Sequence, residues 1–282
     1  MTLAIFADGP LAERVAALQS VLRSMDDVAV AVSGGVDSLT LASLARRVLG
    51  ESVSMFHATS PAVPDEATQR TQELARREGW KLTVIDANEF ENADYMRNPL
   101  NRCFYCKTSL YGAVRPHTTG QIVSGTNLDD LGEYRPGLIA AKGHGVRHPF
   151  VEAQIDKQAV RALARGLGLG EVAELPASPC LSSRIETGIA IDPAVLVRVH
   201  QAEQLMSRTL PSSTVRCRVR AKGVVIELDR TTLDAMTPEL RGVLSSEISA
   251  LFAPVGMTGA VDFAPYRVGS AFLHSIPVVA QS

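Results

Sequence analysis

An excess of charge of either sign is missing from this sequence. Against 28 Lys and Arg stand 30 Asp and Glu, a net charge of −2 over 282 residues. A chain with no basic surplus lacks the general attraction to polyanions on which nucleic-acid binding rests, so nucleic acid is not an expected partner. Long apolar runs are missing too. None approaches the ~20 residues that a membrane helix needs, and no membrane partner is expected. The opening stretch, MTLAIFADGPLAERV, has neither a basic start nor a long apolar segment. It does not read as a signal peptide, and a cytoplasmic location is expected. Cysteine is scarce. The four residues Cys103, Cys106, Cys180 and Cys217 are too few for a disulfide framework in a chain this long. A Cys-x-x-Cys pair in that setting points to metal or redox chemistry. Internal repeats and low-complexity tracts are also lacking. What is present is an ordinary globular composition, 46% hydrophobic and 21% charged, which excludes wholesale disorder. The length suits one large domain or two ordinary ones.

The order of patterns gives the fold class. Leu11, Val15, Leu18, Leu22 and Met25 recur at helical spacing. Val28–Val32 is a short apolar run that ends in Ser33-Gly34-Gly35, and a helical pattern follows from Val36 to Leu49. Strand-like and helix-like stretches then alternate: strands at Ser52–Ala58, Lys81–Ile85 and Gln121–Ser124, helices at Asp65–Gly79, Cys106–Val114 and Asp156–Leu167. Asp65 and Asp156 are the expected N-caps of their helices. Strands alternating with helices imply an α/β fold with a mostly parallel sheet covered on both faces. The rhythm changes after about residue 186. A long amphipathic helix at Pro193–Leu210 precedes two alternating segments around Gly223, which predict a hairpin. A helix at Pro238–Leu251 and a strand at Gly259–Phe263 complete an α+β pattern. The expected domains are 1–186 and a smaller 187–282.

The segment Ser33-Gly34-Gly35-Val36-Asp37-Ser38 carries the most chemistry. It follows a buried strand and opens a helix, where unpaired N–H groups and the positive end of the helix dipole favour an anion. Glycines allow close backbone approach, and the hydroxyls of Ser33 and Ser38 can donate to phosphate oxygens. Asp37 would repel phosphate unless a divalent cation lies between them, which suggests Mg²⁺. There is no Gly-Lys-Ser/Thr, so this is not the phosphate loop of kinases and GTPases. The plain alternative is a glycine-rich strand-to-helix turn.

A second group of residues could hold an ion or cluster. Cys103 and Cys106 sit in Arg102-Cys103-Phe104-Tyr105-Cys106-Lys107 at the expected start of a helix, where the neighbouring cations favour thiolate. A zinc half-site, a redox pair and coincidence all fit that pair alone. Cys180 lies in Ala177-Ser178-Pro179-Cys180-Leu181-Ser182-Ser183-Arg184, a segment of loop character with Arg184 set to meet an anion. Cys217 is different. In the period-two run 215–220 it shares a face with Val215 and Val219 and reads as core, while Arg216, Arg218 and Arg220 share the other face. That arginine face fits a solvated edge or an anion platform equally well. Asp129 and Asp130 fit either a metal or nucleotide site or a plain turn. The histidines, His144 and His148 among them, have no metal-demanding spacing and read as structural.

The loop Ser33–Ser38 resembles the pyrophosphate loop (PP-loop) of the ATP pyrophosphatases, and the wider set of motifs resembles the LarE-type ATP-dependent sulfur transferases within that superfamily. The likeness extends through Arg102–Lys107, Gly125-Thr126-Asn127-Leu128-Asp129-Asp130, Tyr134-Arg135-Pro136-Gly137, Ser178–Arg184, Ala202-Glu203, Arg218-Val219-Arg220 and Tyr266-Arg267-Val268-Gly269-Ser270. It implies a Rossmann-like PP-loop domain with a smaller α+β C-terminal domain. It further implies adenylation of a carboxylate of a pyridinium dicarboxylate mononucleotide by ATP, then conversion to a thiocarboxylate in the making of a nickel-pincer nucleotide. ATP and Mg²⁺ would be held by Ser33, Gly34, Gly35, Val36, Asp37, Ser38, Ala58, Thr126, Asp129 and Asp130. Some members of the family sacrifice one cysteine as sulfur donor, and that position falls at Cys180. Others hold a [4Fe–4S] cluster on three cysteines, and Cys103, Cys106 and Cys180 place this chain with them, supplied by an external sulfide donor. Cys180, Asp37 and Arg184 are then the candidate catalytic residues. Ser183, Arg184, Glu203, Arg218, Arg220 and Arg267 are candidates for the substrate, and Glu203 also for a metal. The resemblance implies a homo-oligomer. The chain departs from its relatives at Ser60-Pro61-Ala62-Val63-Pro64 and at Phe263-Ala264-Pro265-Tyr266. The alternatives kept open are a tRNA thiolase, an amidating ligase and a non-enzymatic nucleotide- or metal-binding regulator.

Overall fold

A computed structural model describes residues 10–132, 135–177, 179–212 and 214–272. In chain order its elements are α1 Pro10–Arg23, β1 Val28–Ala31, α2 Val36–Leu49, β2 Val53–Thr59, α3 Asp65–Glu78, β3 Leu82–Asp86, α4 Ala93–Met96, α5 Arg102–Val114, β4 Gln121–Ser124, α6 Pro136–Gly143, α7 Pro149–Glu152, α8 Lys157–Gly166 and α9 Gly170–Ala173. Then come α10 Pro193–Thr209, β5 Val215–Arg220, β6 Gly223–Leu228, α11 Arg230–Ala235, α12 Pro238–Phe252 and β7 Val261–Pro265. The chain forms two compact units, one of Met1–Glu89 with Cys103–Ser178, the other of Phe90–Arg102 with Pro179–Ser282.

The first unit is built on a parallel sheet in the order β3-β2-β1-β4. Both faces are covered, and the period of two along β1 shows how. Val28 and Val30 turn to a core shared with Leu18 and Leu22 of α1, Leu39, Leu41 and Leu44 of α2, and Val160 and Leu163 of α8. Ala29 and Ala31 turn the other way, to Phe56, Ile122, Tyr111, Val114 and Ala141. A strand buried on both faces must be apolar throughout, which is why Val-Ala-Val-Ala reads as a continuous run. The α/β class and the parallel sheet expected from the sequence are present.

Helix starts explain the smaller differences. Asp156 caps α8 as expected, its carboxylate accepting from Ala159 N at 2.8 Å. Asp65 does not cap α3. Pro64 takes the cap position in extended backbone, and Asp65 becomes the first helical residue, where its charge still meets the dipole. Helix α5 starts at Arg102 rather than at Cys106, so both cysteines of the pair lie inside it.

The second unit carries the sheet β5-β6-β7, with β5 and β6 antiparallel and β7 parallel to β6. The hairpin is the one expected, and Gly223 opens β6 at φ +128°, where a side chain would be strained. Helix α10 lies against β5 and α12, burying Leu196, Val199, Ala202 and Met206. Residues 179–186, expected with the first domain, fall in this unit. Two features hold them there: a parallel bridge of Ile185 to Val219, and the Asn98 amide, which donates to Ile185 O, Glu186 O and Ile189 O at 3.3, 2.9 and 3.0 Å.

Strands β1 and β4 run in register, with Ala31 opposite Ser124. The loops that leave them, Ser33–Gly35 and Gly125–Asn127, therefore emerge side by side. Gly125 is pressed onto the start of α2: a Cβ there would stand 2.8 Å from Asp37 C and Ser38 N. Backbone cannot yield as a side chain can. Gly125→Ala is therefore expected to destabilise the protein by about 1–3 kcal/mol, read as a lower urea midpoint at unchanged m-value.

Candidate active site

The loop after β1 is a pre-shaped anion cradle. Gly34 takes φ +79°, and a Cβ there would meet Ala67 O at 2.6 Å, so only glycine fits beneath α3. Its carbonyl accepts from Arg70 Nη1 at 2.7 Å. Gly35 is the N-cap of α2 and has no side chain to cap it, which leaves the first-turn N–H groups of Val36, Asp37 and Ser38 available to a ligand. Ser33 N donates to Ser38 Oγ at 3.0 Å, the two hydroxyls are 3.1 Å apart, and Ser38 Oγ also donates to Gly35 O at 3.2 Å.

Asp37 is bracketed. Its Oδ2 accepts from Lys157 Nζ at 2.6 Å and its Oδ1 from Asn127 Nδ2 at 3.1 Å. The repulsion between Asp37 and phosphate, read from the sequence as a call for a cation, is already met in part by Lys157. Lys157 was missed by sequence reasoning, yet it left a signal. It is the first residue of α8, where the helix dipole disfavours a lysine, and a misplaced charge asks for a partner. Arg70 left no comparable signal.

The loop after β4 is ordered by its own side chains. Asn127 is buried, its Oδ1 accepts from Asp129 N at 3.0 Å, and its N–H donates to Asp130 Oδ2 at 3.1 Å. Asp130 also pairs with Arg135 at 3.0 Å. Asp130 thus shapes the turn, whereas Asp129 is exposed. Thr126 Oγ1 lies 3.0 Å from Ser124 Oγ, which in turn meets His148 Nδ1 at 2.9 Å. Ala58 is half-buried on β2 opposite Ile85.

Cys103 and Cys106 are half-buried, one turn apart on α5. Gly137 explains the nearby Arg-Pro-Gly motif: a Cβ there would lie 3.2 Å from Lys107 Cγ and 3.7 Å from Cys103 O. The absence of a side chain lets α6 approach the cysteine turn. Tyr134, Ser178 and Glu133 lie outside the described residues. Two soft donors on one helical face suit a thiophilic metal or cluster. Among the described residues no three of His, Cys, Asp and Glu gather as a metal-holding group.

Cys180 belongs to the second unit. It is half-buried, and Leu181, Ser182, Ser183, Arg184 and Ile185 behind it are buried. Arg184 forms a bidentate pair with Glu203, Nε to Oε1 at 2.9 Å and Nη2 to Oε2 at 3.0 Å. Glu203 Oε1 also accepts from Cys217 N at 2.9 Å, so both carboxylate oxygens are engaged by the protein. The arginine face of β5 is not a solvated edge. Arg218 is buried against Glu227 at 2.9 Å and donates to Ser183 O at 3.1 Å. Arg220 reaches Glu227 at 2.8 Å, and Arg216 stacks 5.8 Å from the Tyr266 ring centroid. Arg267 is exposed in the turn after β7. Cys217 is fully buried, as expected of core, and burial pushes its thiol pKa well up, with Glu203 adding to the effect.

Residues 14–105 match the asparagine synthase family. An uncharacterized protein of Synechocystis sp. is 38% identical over 215 residues, covering 75% of this chain and 80% of that protein. The pyridinium-3,5-bisthiocarboxylic acid mononucleotide synthase of Lactiplantibacillus plantarum is 30% identical over 223 residues, covering 77% of this chain and 80% of that enzyme. This chain belongs to the pyridinium-3,5-bisthiocarboxylic acid mononucleotide synthase family. An uncharacterized protein of Methanocaldococcus jannaschii is similar as well, 27% identical over 206 residues, 72% of this chain and 77% of its own. This synthase-family chain contains a PP-loop ATP pyrophosphatase domain, its family match falling on residues 14–105. Among the described residues no helix is long and apolar enough to cross a membrane.

Two outcomes follow for the PP-loop. Lys157→Met leaves Asp37 facing any phosphate without its counter-charge, and ATP affinity should fall about tenfold or more, read by calorimetry with MgATP. The second concerns pH. His57 of β2 joins Val32, which follows β1, to α3 through Val32 O and Thr68 Oγ1, each at 2.9 Å. Burial lowers its pKa, against the opposing hydrogen bond to Val32, and burial lowers that of His148 likewise. The unfolded chain thus binds these protons first as pH falls. Stability should be whole above about pH 6.5 and decline below it toward the lowered folded values. His57→Gln should flatten part of that decline in urea unfolding followed from pH 7 to pH 5.

Proposed function

We propose that this protein uses ATP to adenylate a carboxylate of a pyridinium dicarboxylate mononucleotide and converts it to a thiocarboxylate, a step in building a nickel-pincer nucleotide. The observation that carries the reading is the cradle of Ser33–Ser38 with Asp37 bracketed by Lys157 and Asn127, in a chain of the synthase family.

A carboxylate resists substitution because its leaving group would be oxide. Adenylation replaces that with AMP: a carboxylate oxygen attacks the α-phosphorus of ATP and pyrophosphate leaves. The open N–H groups at the start of α2 and the Ser33 and Ser38 hydroxyls stabilise the charge that gathers on pyrophosphate. Asp37 and Asp129 are the carboxylates that would hold Mg²⁺, which supplies further charge neutralisation when bound. The backbone at Ala58 takes the adenine. Hydrosulfide then attacks the acyl carbon, and AMP departs with the electron pair of the broken C–O bond.

The sulfur site is assigned to Cys103, Cys106 and Cys180, as thiolate ligands of a [4Fe–4S] cluster fed by an external sulfide donor. When bound, a cluster with three thiolate ligands supplies one iron position open to sulfide. The support for this is the pair of soft donors on one face of α5 and the accessible third cysteine ahead of a buried turn. Arg267, exposed and next in sequence to Tyr266, whose ring lies against half-buried Arg216, is the cation assigned to the substrate phosphate.

The decisive test is mass spectrometry of protein and product after one turnover with ATP, the pyridinium dicarboxylate mononucleotide and sulfide under anaerobic conditions. Thiocarboxylate with Cys180 intact is expected. Cys180 converted to dehydroalanine overturns the cluster assignment and makes Cys180 the sulfur donor. Anaerobic protein should also contain iron and acid-labile sulfide, both lost in Cys103→Ala, Cys106→Ala or Cys180→Ala; zinc without iron would count against the cluster.

A further inference from the structure

We propose that Arg184 is a positioning residue for Cys180 and not a ligand of the substrate. The inference rests on the sulfur-transfer reading above and deepens it.

The Cys180 carbonyl is saturated with donors. It accepts from Ser183 N at 3.0 Å, Ser183 Oγ at 2.7 Å and Arg184 Nη1 at 3.1 Å. Arg184 Nη1 donates as well to Pro179 O and to Ser183 Oγ. The other edge of the guanidinium is occupied by the two oxygens of Glu203. With 3% of its side chain exposed, Arg184 has no open edge to offer a phosphate or carboxylate. An anion receptor needs free donors, and those of Arg184 are spent on two backbone carbonyls, one hydroxyl and one carboxylate.

The far end of this chain of contacts is also fixed. Glu203 Oε1 accepts from the backbone N–H of Cys217 in β5, so the guanidinium is referenced to the sheet. The turn is gripped from its other side, where Ser182 Oγ lies 2.6 Å from Tyr95 OH and Ser182 O accepts from Arg102 Nη1 at 3.0 Å. The result is a backbone locked on both sides of Cys180, with only Pro179 and the half-buried Cys180 toward solvent. A buried ion pair adds little net stability compared with apolar packing, and its best-attested use is to fix geometry. Group transfer requires that geometry, since a sulfur atom about 1 Å out of place loses about two orders of magnitude in rate.

Arg184→Lys tests this with the full-length protein. Lysine keeps a cation against Glu203 but cannot grip both carbonyls and a carboxylate together. Amide hydrogen exchange at residues 180–185 should speed up about tenfold or more, with Cys180 alkylation by iodoacetamide changed alongside. The KM for the pyridinium dicarboxylate mononucleotide and the rate of pyrophosphate release should stay within about twofold, while thiocarboxylate formation falls about 100-fold. Glu203→Gln, which keeps the shape and removes the charge, should move the exchange in the same direction to a smaller extent. Unchanged exchange at 180–185, with KM raised and pyrophosphate release lowered together, would make Arg184 a substrate ligand and overturn the proposal. If the wild-type protein releases no pyrophosphate with this nucleotide, the functional reading fails. The exchange comparison then decides the clamp alone: acceleration supports it and no change overturns it.

Discussion

Two helix N-termini meet in one ion pair. Asp37 stands in the first turn of α2 and Lys157 in the first turn of α8, 2.6 Å apart and 120 residues apart in sequence. An acid at a helix N-terminus is favoured by the dipole and a lysine there is not. Joined, the carboxylate offsets the strain of the misplaced cation, and the cation relieves the charge that would keep phosphate away. The parallel register of β1 and β4 adds a third member. It delivers Asn127 to the other oxygen of Asp37 and presses Gly125 onto the start of α2. Loop, helix starts and sheet edge therefore depend on one another.

Much of this was legible in the sequence because it is local. An apolar run, a glycine pair and a helical period follow one another within 28–49, and each is dictated by neighbours. Asp156 was legible as a cap for the same reason, and Cys217 as core from the period of two. What was not legible depends on pairing across the chain. The partner of Asp37 lies in another helix. The arginine face of β5, which fits a solvated edge or an anion platform equally well from its own spacing, is covered because Glu227, opposite Arg216 in register, reaches both Arg218 and Arg220. No rule of spacing within 215–220 contains Glu227. Asp65 was misjudged by a single position, since Pro64 already supplies the extended residue that a cap requires.

The second unit shows a different economy of charge. Arg184 with Glu203 and Arg218 with Glu227 are both largely shielded from solvent. Removing one member of such a pair strands its partner and costs about 3–5 kcal/mol. These arginines, which by type could have gripped a substrate, are tied into the framework around the Cys180 turn. Arg267 is exposed by contrast, and Arg216 beside Tyr266 is half-buried.

The mutual contact of Ser33 and Ser38 has a thermodynamic consequence. Before a nucleotide arrives, each hydroxyl is occupied by the other or by backbone. These contacts hold the loop in one shape, so little ordering would remain to oppose association of an anion. A phosphate entering there would give these hydroxyls a more strongly charged acceptor in exchange for one already in place. Discrimination then comes from charge: the cradle gains from an anion and has nothing to gain from a neutral ligand of the same size.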